Sequence, residues 1–318
     1  MIKRKRNFRG KVKDTAAKIL LKNKAIIADI CNACIYGGEQ ILNEDKLDEV
    51  PVELNSVGWR GDGSLVADKR EMDLSYLAYT DGAVGYFICI EVQARSDPIM
   101  PIRVMDYNAR QYYLQAQELL RRKAGRILPV ATMVLNLGRD IWKGPRNLHE
   151  MFGKIDDKLK AFVPDYALNI IDPYAMDEKT LDSLCTEIKH VLNCFRVSGD
   201  GEKLLKLYPE GCSVYLSENA VNVLNEYLKM GLEMTNKGGK VEMCRAVRQL
   251  IEKGRVLGIE QGIEKGIEQG RKQGFRRANE NVVINGLRMN LSHADIQRLT
   301  GLSLEQIKSI SQKASIEN

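Results

Sequence analysis

Residues 72–92 constrain the fold more than any other part of the chain. Two runs rich in β-branched and aromatic residues, 72–79 and 84–92, flank Asp81-Gly82, a pair that favours the tight turn of a β-hairpin. A hairpin alone is marginal in water, so its apolar faces need further layers. The sequence downstream supplies them. Helical spacing covers 102–122 and stops at Gly125; 129–137 (PVATMVLNL) is a short apolar run typical of a buried strand; a further strand signal at 166–171 ends at Asp172-Pro173. This alternation predicts an α/β fold, a mixed sheet core flanked by helices.

The second hairpin strand ends in Glu91-Val92-Gln93, which places Glu91 and Gln93 on one face and Val92 on the other. Asp73 lies eighteen positions before Glu91, at the start of the first strand. Two carboxylates brought to one end of a hairpin form an oxygen-ligand set suited to Mg²⁺, with Mn²⁺ or Ca²⁺ as substitutes, and the Val92 carbonyl and waters complete the shell. Such an ion polarises a phosphate and ionises a water near neutral pH, the two needs of phosphodiester hydrolysis. Gln93 can orient a water but carries no charge. A cation is therefore expected from elsewhere: Arg103, at the start of the following helix and on one face with Tyr107 and Gln111, is the first candidate, and Lys69 or Arg70 the second.

Turn length decides whether the two carboxylates meet. With a two-residue turn, Asp81-Gly82, Asp73 falls opposite Ile90 and on the other face from Glu91. With a three-residue turn, 81–83, or an equivalent bulge, Asp73 falls directly across from Glu91. The site requires the second register.

Composition limits the alternatives. The 318 residues, 44% hydrophobic and 28% charged, suit a folded α/β core with appendages. The net charge of +6 is modest but uneven: residues 1–25 include Lys3, Arg4, Lys5, Arg6, Arg9, Lys11, Lys13, Lys18, Lys22 and Lys24 against Asp14 alone. Such an arm is suited to a phosphate backbone, or else is a solvated terminus. No run approaches the roughly 18 apolar residues of a membrane span, and the odd, scattered cysteines read as reduced thiols of a cytoplasmic protein. Cys31 and Cys34 form a lone CxxC without a second pair or a nearby histidine, which does not make a zinc site.

Outside the core, apolar residues at mixed spacings of three and four predict one helix over 15–36, ended by Gly37 and Gly38. A helical or irregular piece is expected at 41–54 and a glycine-rich loop at 58–63. Residues 177–253 read as helical. Gly254, Gly258, Gly262, Gly266, Gly270 and Gly274 then recur every four residues among IEQ and IEK units. Each interior glycine costs about 1 kcal/mol relative to alanine. The segment is thus either a helix paired in a homo-oligomer or a flexible tether, and its charges argue against a membrane role. The tail holds two short helices opening at Ser292 and Ser303, the latter with Gln306 as a capping box. It resembles a small helix-turn-helix, although Glu305 early in the second helix suits protein packing better than DNA. The expected divisions are a basic arm at 1–22, a core at 23–175, a helical region at 176–253, the glycine repeat at 254–280 and the tail at 281–318.

The segments GYFICIEVQARSDPIMPIRVMDYNARQYYLQ, PVATMVLNLGRDIWKGPRNLHEMF and PDYALNIIDP, with the glycine repeat and the closing LTGLSLEQIKSI, resemble the Rpn family of recombination-promoting nucleases, also called PD-(D/E)xK nuclease family transposases. The resemblance runs in order from about Asn23 to the C-terminus. It implies a restriction-endonuclease-like fold, Mg²⁺-dependent cleavage of DNA and a role linked to recombination or mobile elements. Asp73, Glu91 and Gln93 match the positions of the family's nuclease motif. Met72 stands where the parent pattern has proline, and Gln93, usual in this family, where it has lysine. Trp142 and His149 read as structural. The rival expectation is a catalytically inactive nuclease-fold protein that binds DNA or assembles, and the sequence leaves RNA as substrate open.

Overall fold

The structure is a computed structural model of the chain. It describes all residues except 1, 51–52, 60–64, 72, 81–82, 123–124, 235–238 and 317–318, and it does not describe the side chains of 2–11, 53–59, 65–71, 83 and 314–316. Two compact units divide it, Met1–Leu250 and Ile251–Asn318.

The chain opens with helices α1 (Ile2–Leu21) and α2 (Lys24–Cys34). One continuous helix over 15–36 was expected. It breaks at Asn23, whose side chain accepts a hydrogen bond from the Ala25 amide and so starts α2 afresh. Gly37 and Gly38, both at positive φ, end α2 as expected. The helical or irregular piece foreseen at 41–54 is met only at its start, by a turn of 3-10 helix (Glu44–Lys46); strands β1 (Leu47–Glu49) and β2 (Glu53–Trp59) follow. A three-residue edge strand with one buried side chain leaves too little periodicity to read. Gly58 and Trp59, expected in a loop, lie in β2 paired with Val66 and Leu65 of β3 (Leu65–Glu71); the rest of that loop falls outside the described residues.

β4 (Leu74–Thr80) and β5 (Ala83–Gln93) form the hairpin, followed by α3 (Met100–Arg122), β6 (Val130–Asn136), α4 (Asp157–Phe162) and β7 (Asn169–Ile171). The main sheet has the order β1-β4-β5-β6-β7, antiparallel from β1 to β5 and parallel from β5 to β7. This is the mixed α/β core expected from the sequence. β5 is its centre. Every side chain from Ile88 to Val92 is buried, which explains an unbroken apolar run where a one-sided strand would alternate. Tyr76, opposite Ile88, bonds the Leu21 carbonyl of α1, while Cys89 packs on Tyr107 of α3, so helices cover both faces.

Residues 178–250 are less uniformly helical than expected. α5 (Glu178–Ser183), α6 (Ile188–Arg196), α7 (Gly201–Leu207) and α8 (Glu218–Leu228) are joined by a small antiparallel pair, β8 (Tyr215–Ser217) with β9 (Lys240–Glu242). α1 packs along α8, where Lys13 sits over the Tyr227 ring.

α9 (Met243–Arg288) runs unbroken through the glycine repeat. Residues 252–278 are exposed, and a Cβ added at any of the six repeat glycines meets nothing within 4 Å. Ion pairs at helical spacing, Arg255 with Glu252, Lys272 with Glu268 and Arg276 with Glu280, offset part of the glycine cost. In the second unit Val283 of α9 packs with Ile296 of α10 (His293–Thr300) and Ile307 of α11 (Leu304–Ile316). Both caps read from the sequence are present: Ser292 accepts from the Asp295 amide, and Ser303 and Gln306 bond reciprocally. No helix among the described residues is long and apolar enough to cross a membrane.

Candidate active site

The hairpin reaches the required register by the bulge route. Its turn leaves two residues, 81 and 82, between the paired Thr80 and Ala83, the arrangement that separates the carboxylates. Between Ala78 and Tyr79 the ladder shifts: Tyr79 pairs with Val84, Ala78 with Tyr86, and Gly85 is left over. From there the pairing runs to Leu74 opposite Ile90, so the next position carries Asp73 to Glu91. The glycine suits this place because an added Cβ would sit 2.7 Å from the Thr80 hydroxyl oxygen.

Asp73 lies in a bend just before β4. Its Oδ2 accepts a hydrogen bond from the Val92 amide at 2.7 Å, which ties it to the end of β5. Backbone N–H and C=O of one strand residue point to the same side, so the Val92 carbonyl is turned towards Asp73 as well. Glu91 is 1% exposed. Its Oε2 accepts from Arg103 Nη2 at 3.1 Å, and its Oε1 is buried without a hydrogen-bond partner. Burial first, and then the Asp73 charge, push the Glu91 carboxyl up to about 8, against the opposing pull of Arg103.

Arg103, the first cation expected, lies beside Glu91. Besides Glu91 it donates to Asp97 Oδ2 at 2.7 Å and to the Tyr107 hydroxyl at 3.2 Å, one helical turn along α3. Burial works against its charge, but the bonds to Asp97 and Tyr107 and the Glu91 carboxylate outweigh it and raise its pKa. Gln93 lies on the Glu91 face and lines a cleft of about 560 Å³ with Arg95, Ser96, Asp97, Pro98 and Arg103. A cavity of about 630 Å³ around Cys34, Met133, Arg146 and Asp177 is larger but holds neither carboxylate. Lys69 and Arg70, the second candidates, are on β3, and their side chains lie outside those described.

One cation was missed by sequence reasoning. Lys18 of α1 places its Nζ 2.7 Å from Asp73 Oδ1 and 2.9 Å from Asp14 Oδ2. Burial opposes its charge, yet the bonds to Asp73 and Asp14 prevail and raise its pKa. Nothing local marks it, since it sits 55 positions before Asp73 within a basic run. From residue 12 onward that run is a packed helix rather than a solvated arm; the side chains of 2–11, which hold most of its charge, lie outside those described. Trp142 and His149 are packed: the Trp142 amide donates to buried Asp172 at 2.7 Å, and the His149 ring bonds the Val163 carbonyl.

Among the described residues no group of three or more His, Cys, Asp or Glu side chains is arranged to hold a metal ion. Two carboxylates, one main-chain carbonyl and waters are nevertheless the sparse set that Mg²⁺ takes. The partnerless Glu91 oxygen and the mutual repulsion of Glu91 and Asp73 fit a divalent cation between them.

Residues 63–206 match the family described as "Putative transposase, YhgA-like". The matched span contains Asp73, Glu91, Gln93 and Arg103, and the resemblance read from the sequence holds over it; α1 with Lys18 lies outside. No curated protein and no solved structure matches the chain.

Proposed function

We propose, for a chain whose residues 63–206 match the YhgA-like transposase family, that the nuclease-like site cuts DNA with Mg²⁺ or Mn²⁺ as cofactor, in recombination or the movement of mobile elements. The observation that carries this reading is Glu91: a carboxylate buried at the end of the central strand, one oxygen partnerless, pressed by the charge of Asp73. A folded protein bears that cost where a cation is to be held. Asp73 and Glu91 would hold the ion, which supplies Lewis acidity and a water ionised near neutral pH. Gln93, on the same face, orients that water through its amide. Arg103 keeps Glu91 aligned, and exposed Arg95 at the cleft offers a contact to the phosphate backbone.

A second reading has a specific observation behind it. Gln93 stands where the wider pattern has lysine, and each carboxyl group already has a cationic side chain beside it, which suits a nuclease fold that binds DNA or assembles without cutting. Cleavage of supercoiled plasmid in Mg²⁺ separates the two. The parent is expected to nick or linearise it, and Asp73→Ala to lose this activity with an unchanged circular dichroism spectrum. Equal cleavage by both proteins would remove Asp73 from the chemistry.

A further inference from the structure

The nuclease reading leaves one need unmet: beyond the backbone contact given to Arg95, a positive charge beside the two carboxylates to meet the scissile phosphate. Arg103 is poorly placed to supply it. Its guanidinium is committed to Glu91, Asp97 and Tyr107, a planar fork fixed on three partners, with its side chain 27% exposed. Gln93 is neutral.

Lys18 has the properties that are missing. Its ammonium has three donors, and Asp73 and Asp14 account for two. Its side chain is 33% exposed and approaches Asp73 from α1, whereas Arg103 approaches Glu91 from α3. The four-carbon stem is flexible, and Asp14, one helical turn earlier on the same face, keeps hold of Nζ if Asp73 is engaged elsewhere. α1 itself is secured by packing of Ala17, Leu20 and Leu21 and by its contact with α8.

We propose that Lys18, delivered by a helix outside the family-matched segment, is the catalytic cation of this site: it pairs with Asp73 in the resting protein and meets the phosphate oxygen during hydrolysis, in the role Gln93 cannot fill. It moves no proton. The water oxygen bonds to phosphorus, the P–O bond to the leaving oxygen breaks, and solvent takes the proton that water loses and returns one to the leaving oxygen. Lys18 lowers the cost of the charge that builds on the non-bridging oxygens.

This inference rests on the nuclease reading, and one set of measurements separates their failures. Mn²⁺ binding by calorimetry and plasmid cleavage are compared in the parent, Lys18→Met and Lys18→Arg. Removing an ammonium that competes for Asp73 should leave Mn²⁺ affinity equal or several-fold higher in Lys18→Met, while turnover falls about 100-fold. Lys18→Arg should recover most of the turnover. Lys18→Met cutting within twofold of the parent overturns the assignment, as does loss of Mn²⁺ binding and cleavage together, which marks Lys18 as structural. A parent that neither binds Mn²⁺ nor cuts overturns the nuclease reading, and this inference with it.

Discussion

Glu91 has a consequence for stability that can be measured without substrate. Its folded-state pKa lies above the ordinary carboxylate value of 4.5, so between about 4.5 and about 8 the folded chain binds a proton that the unfolded chain has released. Stability in chelator is therefore expected to fall as pH rises through that window, by on the order of a few kcal/mol. Glu91→Gln should lack this component: its melting temperature should lose less than the parent's between pH 5 and 8. Parallel curves would mean that Glu91 is ionised without penalty in the folded protein. At this scale the sequence was informative where chemistry and strand period coincide. Asp73, Glu91, Gln93 and Arg103 all stand within 31 positions and were readable. Lys18 was not, because only the packing of α1 on the sheet and α8 brings it to Asp73.

The element that makes the site is the β4–β5 hairpin, and within it the bulge at Gly85. An added Cβ there comes within 2.7 Å of Thr80 Oγ1, on a short β-branched side chain with few rotamers to choose from. Gly85→Ala is expected to destabilise the chain by about 1–3 kcal/mol and to weaken Mn²⁺ binding, because the strain disfavours the register that sets Asp73 against Glu91. Adding Thr80→Ala should restore much of both losses. An unperturbed Gly85→Ala in chemical denaturation and calorimetry would show that the register does not depend on this glycine. The hairpin, α3, β6 and the capped tail helices were legible because their signals are local. The break at Asn23 was not foreseen, since the apolar spacing continues across it. β1 was missed because three residues at a sheet edge, with Leu47 alone buried, carry no period. The bulge was foreseen only as one of two routes to the required register.

At the scale of the whole molecule, α9 reverses a propensity argument. Six interior glycines predict a poor isolated helix, yet the segment is helical and exposed. Val256, Ile259, Ile263 and Ile267 recur at three and four residues, forming an exposed apolar stripe. Three of the four charged residues over 260–268 are acidic (Glu260, Glu264 and Glu268 against Lys265) and those over 271–277 are all basic (Arg271, Lys272, Arg276 and Arg277), so an antiparallel second copy would set mostly acids against bases where a parallel copy would oppose like charges. The homo-oligomer expected from the sequence is accordingly proposed to form through this stripe. Ile263→Glu should shift sedimentation velocity profiles towards the monomer; an unchanged profile would leave α9 a lone helix. The central claim, that Asp73 and Glu91 hold a divalent cation, is reached most directly by titrating Mn²⁺ and following free ion by electron paramagnetic resonance. One Mn²⁺ bound per chain, lost in Glu91→Gln while the fold is kept, is the expected result. No binding by the parent, or equal binding by Glu91→Gln, would contradict it.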